Sequence, residues 1–307
     1  MVTLGLGSKP YDAETCFPWT FAQELFETLR AKGARFEVFK EVALPDGRRP
    51  ISFEEMRQEY SLQIPGANRL GSGMRAKLVG KLWRRLGVRA GLARLVNPWI
   101  SRPLTVYLQH DADRQAYKTV EMMRLQQRMG LRSSNFFFYE RNICDEDLEP
   151  YVLDVESLLA LEAEGFEIGY HLNAFELAGY NVPEAERIID RDISWFRSHF
   201  NVGSFVPHGG QWGPDRQNND TFGHPDALAD LMWAYNGGGL HSDATWSDGH
   251  IEFETVLDPR ILARRAPRGA RIHFLMHPQY YGNELSPVWL ERPIAREQWW
   301  RDLWKLP

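Results

Sequence analysis

The chain has 307 residues and a net charge of -5, with 43% apolar, 13% aromatic and 25% charged residues. Such a length can bury a large core, and such a mix excludes a disordered or low-complexity chain. No run of about 18 apolar residues occurs, so no transmembrane helix is expected.

In chain order, Met1 to Pro10 shows no charged start followed by an apolar stretch. No secretory signal is visible there, and a cytoplasmic location is expected. The two cysteines, Cys16 and Cys144, lie far apart without ligand spacing. Free thiols fit that pattern, with a single disulfide as the other reading. Phe21 to Lys32 reads as a helix stopped by Gly33, and Phe36 to Phe39 as the strand after it. Between Tyr60 and His110 stand nine basic residues and no Asp or Glu. Within that stretch Met74 to Leu95 reads as one or two basic amphipathic helices, broken near Gly87 and Gly91. Residues 47–103 are therefore expected to be a basic, partly helical insertion in one domain spanning 1–307. The apolar stripe of 74–95 either packs on the acidic remainder of the chain or makes peripheral contact with an anionic membrane or glycan. Nucleic acid is not an expected partner, because no base-reading motif accompanies the charge.

After Pro103 an apolar run with Val106 and Leu108 closes on His110-Asp111-Ala112-Asp113. Side chains two apart on a strand share a face, so Asp111 and Asp113 are expected to project together from the strand's C-terminal end. Gln115 to Met129 reads as a helix ending at Gly130, and Asn135 to Tyr139 as a buried strand. Leu153 to Glu164 is a second helix, stopped by Gly165, and Phe166 to Tyr170 is a strand delivering His171. Pro183 to Phe200 forms a long helix capped by Asn181, with Ile188, Ile189, Ile193, Trp195 and Phe196 inward. Gly203 to Val206 is a short strand that ends at Pro207-His208-Gly209-Gly210. Met232 to Asn236 and Ile272 to Met276 are further strands, the last delivering His277. Repeated strand–helix units imply a parallel sheet, and this many favour a barrel over an open sheet. A lone histidine is more often structural than catalytic. Histidines closing three strands beside two aspartates shift the balance toward a site.

The order of these strand ends resembles the polysaccharide deacetylase superfamily, the NodB-homology or carbohydrate esterase 4 type. The first motif is matched by His110-Asp111-Ala112-Asp113, similar to a histidine-aspartate-x-aspartate variant of surface-polysaccharide members. The second is matched by Glu167-Ile-Gly-Tyr-His171 and, loosely, the third by Pro207-His208-Gly209. Asp243 and Trp246 stand for the fourth, and His273-Phe-Leu-Met-His277 for the fifth. The likeness covers roughly residues 104 to 285. It implies an α/β fold, a distorted incomplete (β/α) barrel, and a hydrolase removing an acyl group from a sugar with a divalent metal, zinc by ligand preference.

On that likeness Asp113 and His171 hold the metal and Asp111 is the general base. The His208 backbone amide beside Gly209 faces the oxyanion, and His277 is the acid for the leaving group. Asp243, Trp246 and Asn173 join the substrate side, and Trp212, Tyr280 and Tyr281 offer faces for pyranose rings or pack in the core. Two departures stand out. Phe175 occupies the place of a second histidine ligand, and Phe205 that of an arginine orienting the aspartate. A third ligand then has to come from Glu176, the preferred choice, or from Asn173, His208 or His110, or be replaced by water. The substrate implied is an acylated sugar or surface-polysaccharide intermediate. Rival readings are a catalytically degenerate glycan-binding or scaffolding barrel, and a deformylase or cyclic-amide hydrolase on the same fold.

Overall fold

The computed structural model describes residues 17–42, 103–140, 151–209, 219, 225–233, 242, 244–248, 259–266 and 268–283. The basic segment 74–95, the insertion 47–103 apart from Pro103, both cysteines, Trp212 and Asp243 lie outside the described residues.

The elements run β1 (Phe17–Pro18), α1 (Trp19–Ala31), β2 (Arg35–Phe36), β3 (Thr105–Ala112), α2 (Ala116–Arg128), β4 (Ser134–Phe137), α3 (Val155–Ala163), β5 (Glu167–Leu172) and α4 (Ala174–Leu177). Then come α5 (Val182–His199), β6 (Ser204–Pro207), β7 (Met232–Trp233), β8 (Ala244–Ser247), α6 (Pro259–Arg265), β9 (Arg271–Met276) and β10 (Tyr281–Gly282). Strand order in the main sheet is β7-β6-β5-β4-β3-β9-β8, and every pairing is parallel. β2 pairs with the first residues of β3, where Arg35 meets Thr105, while β4 takes over further along, where Gln109 meets Ser134. β1 and β10 form a separate parallel pair. The result is an α/β half-barrel, a curled parallel sheet with helices outside. Among the described residues no helix is long and apolar enough to cross a membrane.

The period-2 alternation of β3 sorts its side chains into two environments. Val106 and Leu108 join α1's Leu25, Phe26 and Leu29 and β9's Ile272, Phe274 and Met276 in a core outside the sheet. A second outer core gathers Ile168, Tyr170 and Phe205 with Leu158 of α3 and Ile189, Ile193 and Phe196 of α5. Tyr107, by contrast, faces inward with Phe39, Phe136, Val206 and Met232. Gly169 stands in that interior because a Cβ there would lie 2.4 Å from Phe136 Cε1. Such overlap is what a residue without a side chain avoids.

Most sequence-read elements are present, with shifted ends. Gly130 and Gly165 adopt φ of +69° and +94° at the stops of α2 and α3, a left-handed turn that glycine enters at little cost. Asn181 Oδ1 accepts from Glu184 N–H at 3.1 Å, the cap expected for α5 and worth about 1 kcal/mol. The strand read over Phe36 to Phe39 is shorter: β2 stops at Phe36, and Phe39–Glu41 is a 3₁₀ turn. There Phe39 drops into the barrel interior, and its N–H is taken by Ser134 Oγ at 2.9 Å rather than by a ladder partner. β8 had no counterpart in the sequence reading.

Candidate active site

The C-terminal ends of β3, β5 and β9 carry the site, and the strand β8 supplies its fourth member. Asp111 is the seventh residue of β3, and Asp113 follows just past its end. Asp113 Oδ1 lies 3.0 Å from His171 Nε2, and Asp113 Oδ2 lies 3.6 Å from His277 Nε2. Asp248, directly after β8 and fully buried, accepts twice from His277: from Nδ1 at 2.5 Å and from the backbone N–H at 2.7 Å. His171 Nδ1 is bound to the Val206 carbonyl at 2.9 Å, so it donates there and turns Nε2 toward Asp113. Phe138 stacks on the His171 ring at 4.5 Å and 2°, which fixes the ring plane. Gln279 Nε2 approaches Asp113 Oδ2 at 3.4 Å.

The electrostatics follow from this placing. Burial lowers His277, but Asp248, Asp113 and Asp111 outweigh it and push its pKa up to about 10. It is therefore an imidazolium at neutral pH. Burial raises Asp113, yet His277, the His171 hydrogen bond and His208 together hold its carboxyl well below the usual range. Asp111 moves the other way: burial and the neighbouring Asp113 raise it, against the pull of His171, His277 and Gln109. Two carboxylates two residues apart are thus driven in opposite directions. That divergence is how one site holds both a fixed anion and a group able to take a proton.

Several sequence expectations are corrected. The His208 backbone N–H donates to Leu172 O at 2.8 Å, because it continues the β5–β6 ladder, so it does not face an oxyanion. Gly209 follows it, and a Cβ there would meet nothing within 4 Å among the described residues. His208's ring lies edge-on to His171 at 5.3 Å and meets Glu176 Oε2 at 3.4 Å. Burial lowers its pKa, while Glu176, Asp113 and Asp111 outweigh that and raise it. Trp246 is 3% exposed and packs on Phe274 in the outer core, which excludes it as a sugar platform. Tyr281 is likewise buried, stacked on Phe17 at 5.2 Å. Tyr280 does lie by the site, 5.6 Å from the His277 ring. Asn173 is fully buried and its amide ties the end of β5 to the Glu140 carbonyl at 2.8 Å.

His110 points away from the site. Being one residue from Asp111, it faces the helix layer, where Nδ1 meets Asn135 Oδ1 at 2.7 Å and Nε2 meets Gln126 Nε2 at 3.0 Å. Burial pushes its pKa down to about 4, against the Asn135 hydrogen bond. A neutral ring donating from Nδ1 and accepting at Nε2 satisfies both partners.

The metal expectation meets an incomplete donor set. Asp113 and His171 lie together, but Glu176 turns to His208, and Phe175 is buried edge-on to Tyr180. Among the described residues no group of three or more His, Cys, Asp or Glu is gathered to hold a metal ion. A zinc centre takes three or four protein ligands, so these residues do not fit one.

Sequence reasoning missed Asp248, Gln109, His273 and Phe138. Asp248 had a readable signal: it closes the Ala244 to Ser247 run as Asp113 closes its own strand. No known family profile and no curated protein matches the chain. Among solved structures, a mutant of a CE4 family pseudoenzyme with restored enzymatic activity aligns at 14% identity and a TM-score of 0.31. That alignment covers 58% of this chain and 58% of that one, less than two thirds of its length.

Proposed function

We propose that the chain is a hydrolase that removes an acyl group, N-acetyl foremost, from a sugar or surface-polysaccharide intermediate. The supporting observation is the line Asp248–His277–Asp113–His171, an imidazolium held between a fully buried carboxylate and a second carboxylate at the barrel mouth. The sugar as substrate follows the resemblance of the strand-end motifs.

The chemistry is assigned to the chain's own groups. Asp111, with its pKa raised, takes a proton from water as the resulting hydroxide attacks the acyl carbonyl. His277 then gives its Nε2 proton to the departing nitrogen or oxygen, and the acyl bond breaks to a carboxylic acid and a free amine or alcohol. At 3.6 Å from Asp113 that nitrogen is beyond a good hydrogen bond, so its proton remains available. Asp248 holds the ring in register through two contacts, and the His208 ring stands edge-on to His171 beside these groups.

Acetate release from N-acetylated chitooligosaccharides, compared between wild type and Asp111→Asn, tests this reading. Release by wild type that Asp111→Asn abolishes supports it; no release, or equal release, overturns it. A second reading, a glycan-binding barrel without turnover, is favoured by the buried Phe175 at a ligand position and by the committed His208 amide. Saturable binding of the same oligosaccharides without release would select it.

A further inference from the structure

Below the reacting groups, two buried side chains form a line that ends on the site. Gln109 of β3 and His273 of β9 are 1% and 3% exposed. His273 Nε2 lies 2.9 Å from Gln109 Oε1, and Gln109 Nε2 lies 2.8 Å from Asp111 Oδ1. An amide oxygen and an ionised carboxylate both only accept hydrogen bonds. The line therefore has one polarity: His273 Nε2–H donates to Gln109, and the Gln109 amide donates to Asp111.

Three features keep it from reversing. Burial pushes the His273 pKa down to about 3, so the ring is neutral and carries a single proton. Its Nδ1 is buried without a hydrogen-bond partner, so the proton is of most use on Nε2. Phe39 meets the ring edge-on at 5.6 Å and holds its plane. A flipped Gln109 amide would set its oxygen against the Asp111 carboxylate, two acceptors in contact. The orphaned Nδ1 is the cost of this arrangement, since a buried polar atom without a partner destabilises the fold. Apolar residues at 109 and 273 would avoid that cost, which points to a role beyond packing.

We propose that His273 and Gln109 are positioning residues for Asp111. They tie down Oδ1 and leave Oδ2, which makes no hydrogen bond among the described residues, to take the proton of the attacking water. This inference rests on the acyl-hydrolase reading above and adds to it a device that fixes which carboxylate oxygen reacts.

Two measurements on the full chain test it. In protein labelled with ¹⁵N-histidine, long-range proton–nitrogen correlation reports which nitrogen of His273 carries the proton. Protonated Nε2 is expected, with its resonance shifting in Gln109→Leu; protonated Nδ1, or a doubly protonated ring, overturns the relay. Hydrolysis of para-nitrophenyl acetate supplies the second readout. Gln109→Leu and His273→Phe are each expected to lower kcat by roughly tenfold to a hundredfold with KM nearly unchanged. The double variant should fall no further than either single one, and His273→Gln, which keeps a donor, should recover part of the loss. Unchanged kcat in folded variants overturns the positioning role. A wild type that leaves the probe intact with Nε2 protonated overturns the hydrolase reading and the role with it. Protonated Nδ1 with hydrolysis intact overturns the relay alone.

Discussion

At the N-terminal end of the strands, Glu167 is fully buried and accepts from Ser134 Oγ at 2.6 Å, Ser204 Oγ at 2.7 Å and the Lys40 N–H at 3.1 Å. At the C-terminal end, Asp113 faces His171 at 3.0 Å and His277 at 3.6 Å, with its side chain 18% exposed. Both are carboxylates inside one barrel, yet they serve different ends. Glu167 is surrounded by neutral donors that use up its lone pairs and lock the 3₁₀ turn of Phe39–Glu41 under the barrel. Asp113 is bracketed by the His171 and His277 rings, at 3.0 Å and 3.6 Å, in contacts not all closed. A closed polar network specifies structure, and an open charged one is where chemistry can occur.

The contrast can be broken at either end. His277→Gln should lower hydrolysis of para-nitrophenyl acetate by roughly 100-fold or more with the thermal midpoint little changed. A loss of stability equal to that of a core variant would make the upper end structural too. Glu167→Leu should do the reverse. It strands two hydroxyls and an amide, which destabilises by roughly 4 kcal/mol in urea unfolding, while the rate per folded molecule stays near wild type. A third test uses acid. His110 folds neutral with its pKa lowered from 6.5 to about 4, so its contribution is fully present above pH 6.5 and is lost as pH falls through about 4. Unfolding midpoints measured down that range should register a loss of about 3 kcal/mol, which His110→Gln reduces. The smallest effect concerns the interior between the two ends. Gly169→Ala presses a methyl onto Phe136 and to 3.0 Å from the Ser204 carbonyl, and should cost about 1–3 kcal/mol by overpacking.

Much of this frame was legible in the sequence. Gly130, Gly165 and Asn181 marked helix ends through backbone chemistry that is local. The strands delivering Asp113, His171 and His277 were marked by apolar runs that stop at a polar residue. What was not legible depends on neighbours brought together by folding. His110 looked like part of a metal motif, but alternation on β3 sends it to Gln126 and Asn135. Trp246 looked like a sugar platform until the β8–β9 pairing set it opposite Phe274. The His208 amide was assigned to an oxyanion because a turn was expected to start at Pro207; the ladder instead runs one bond further. Gln109 and His273 are held by partners on another strand or two residues away, and periodicity carries no sign of that.

On the proposed reading, His277 is a proton donor held charged by Asp248 and Asp113. A pH titration of its ring nitrogens by NMR in the full chain tests this most directly, since it needs no substrate. Both nitrogens are expected to stay protonated through neutral pH and to titrate near 10, with the midpoint falling in Asp248→Asn. Titration of the wild-type ring near its ordinary 6.5 would contradict it.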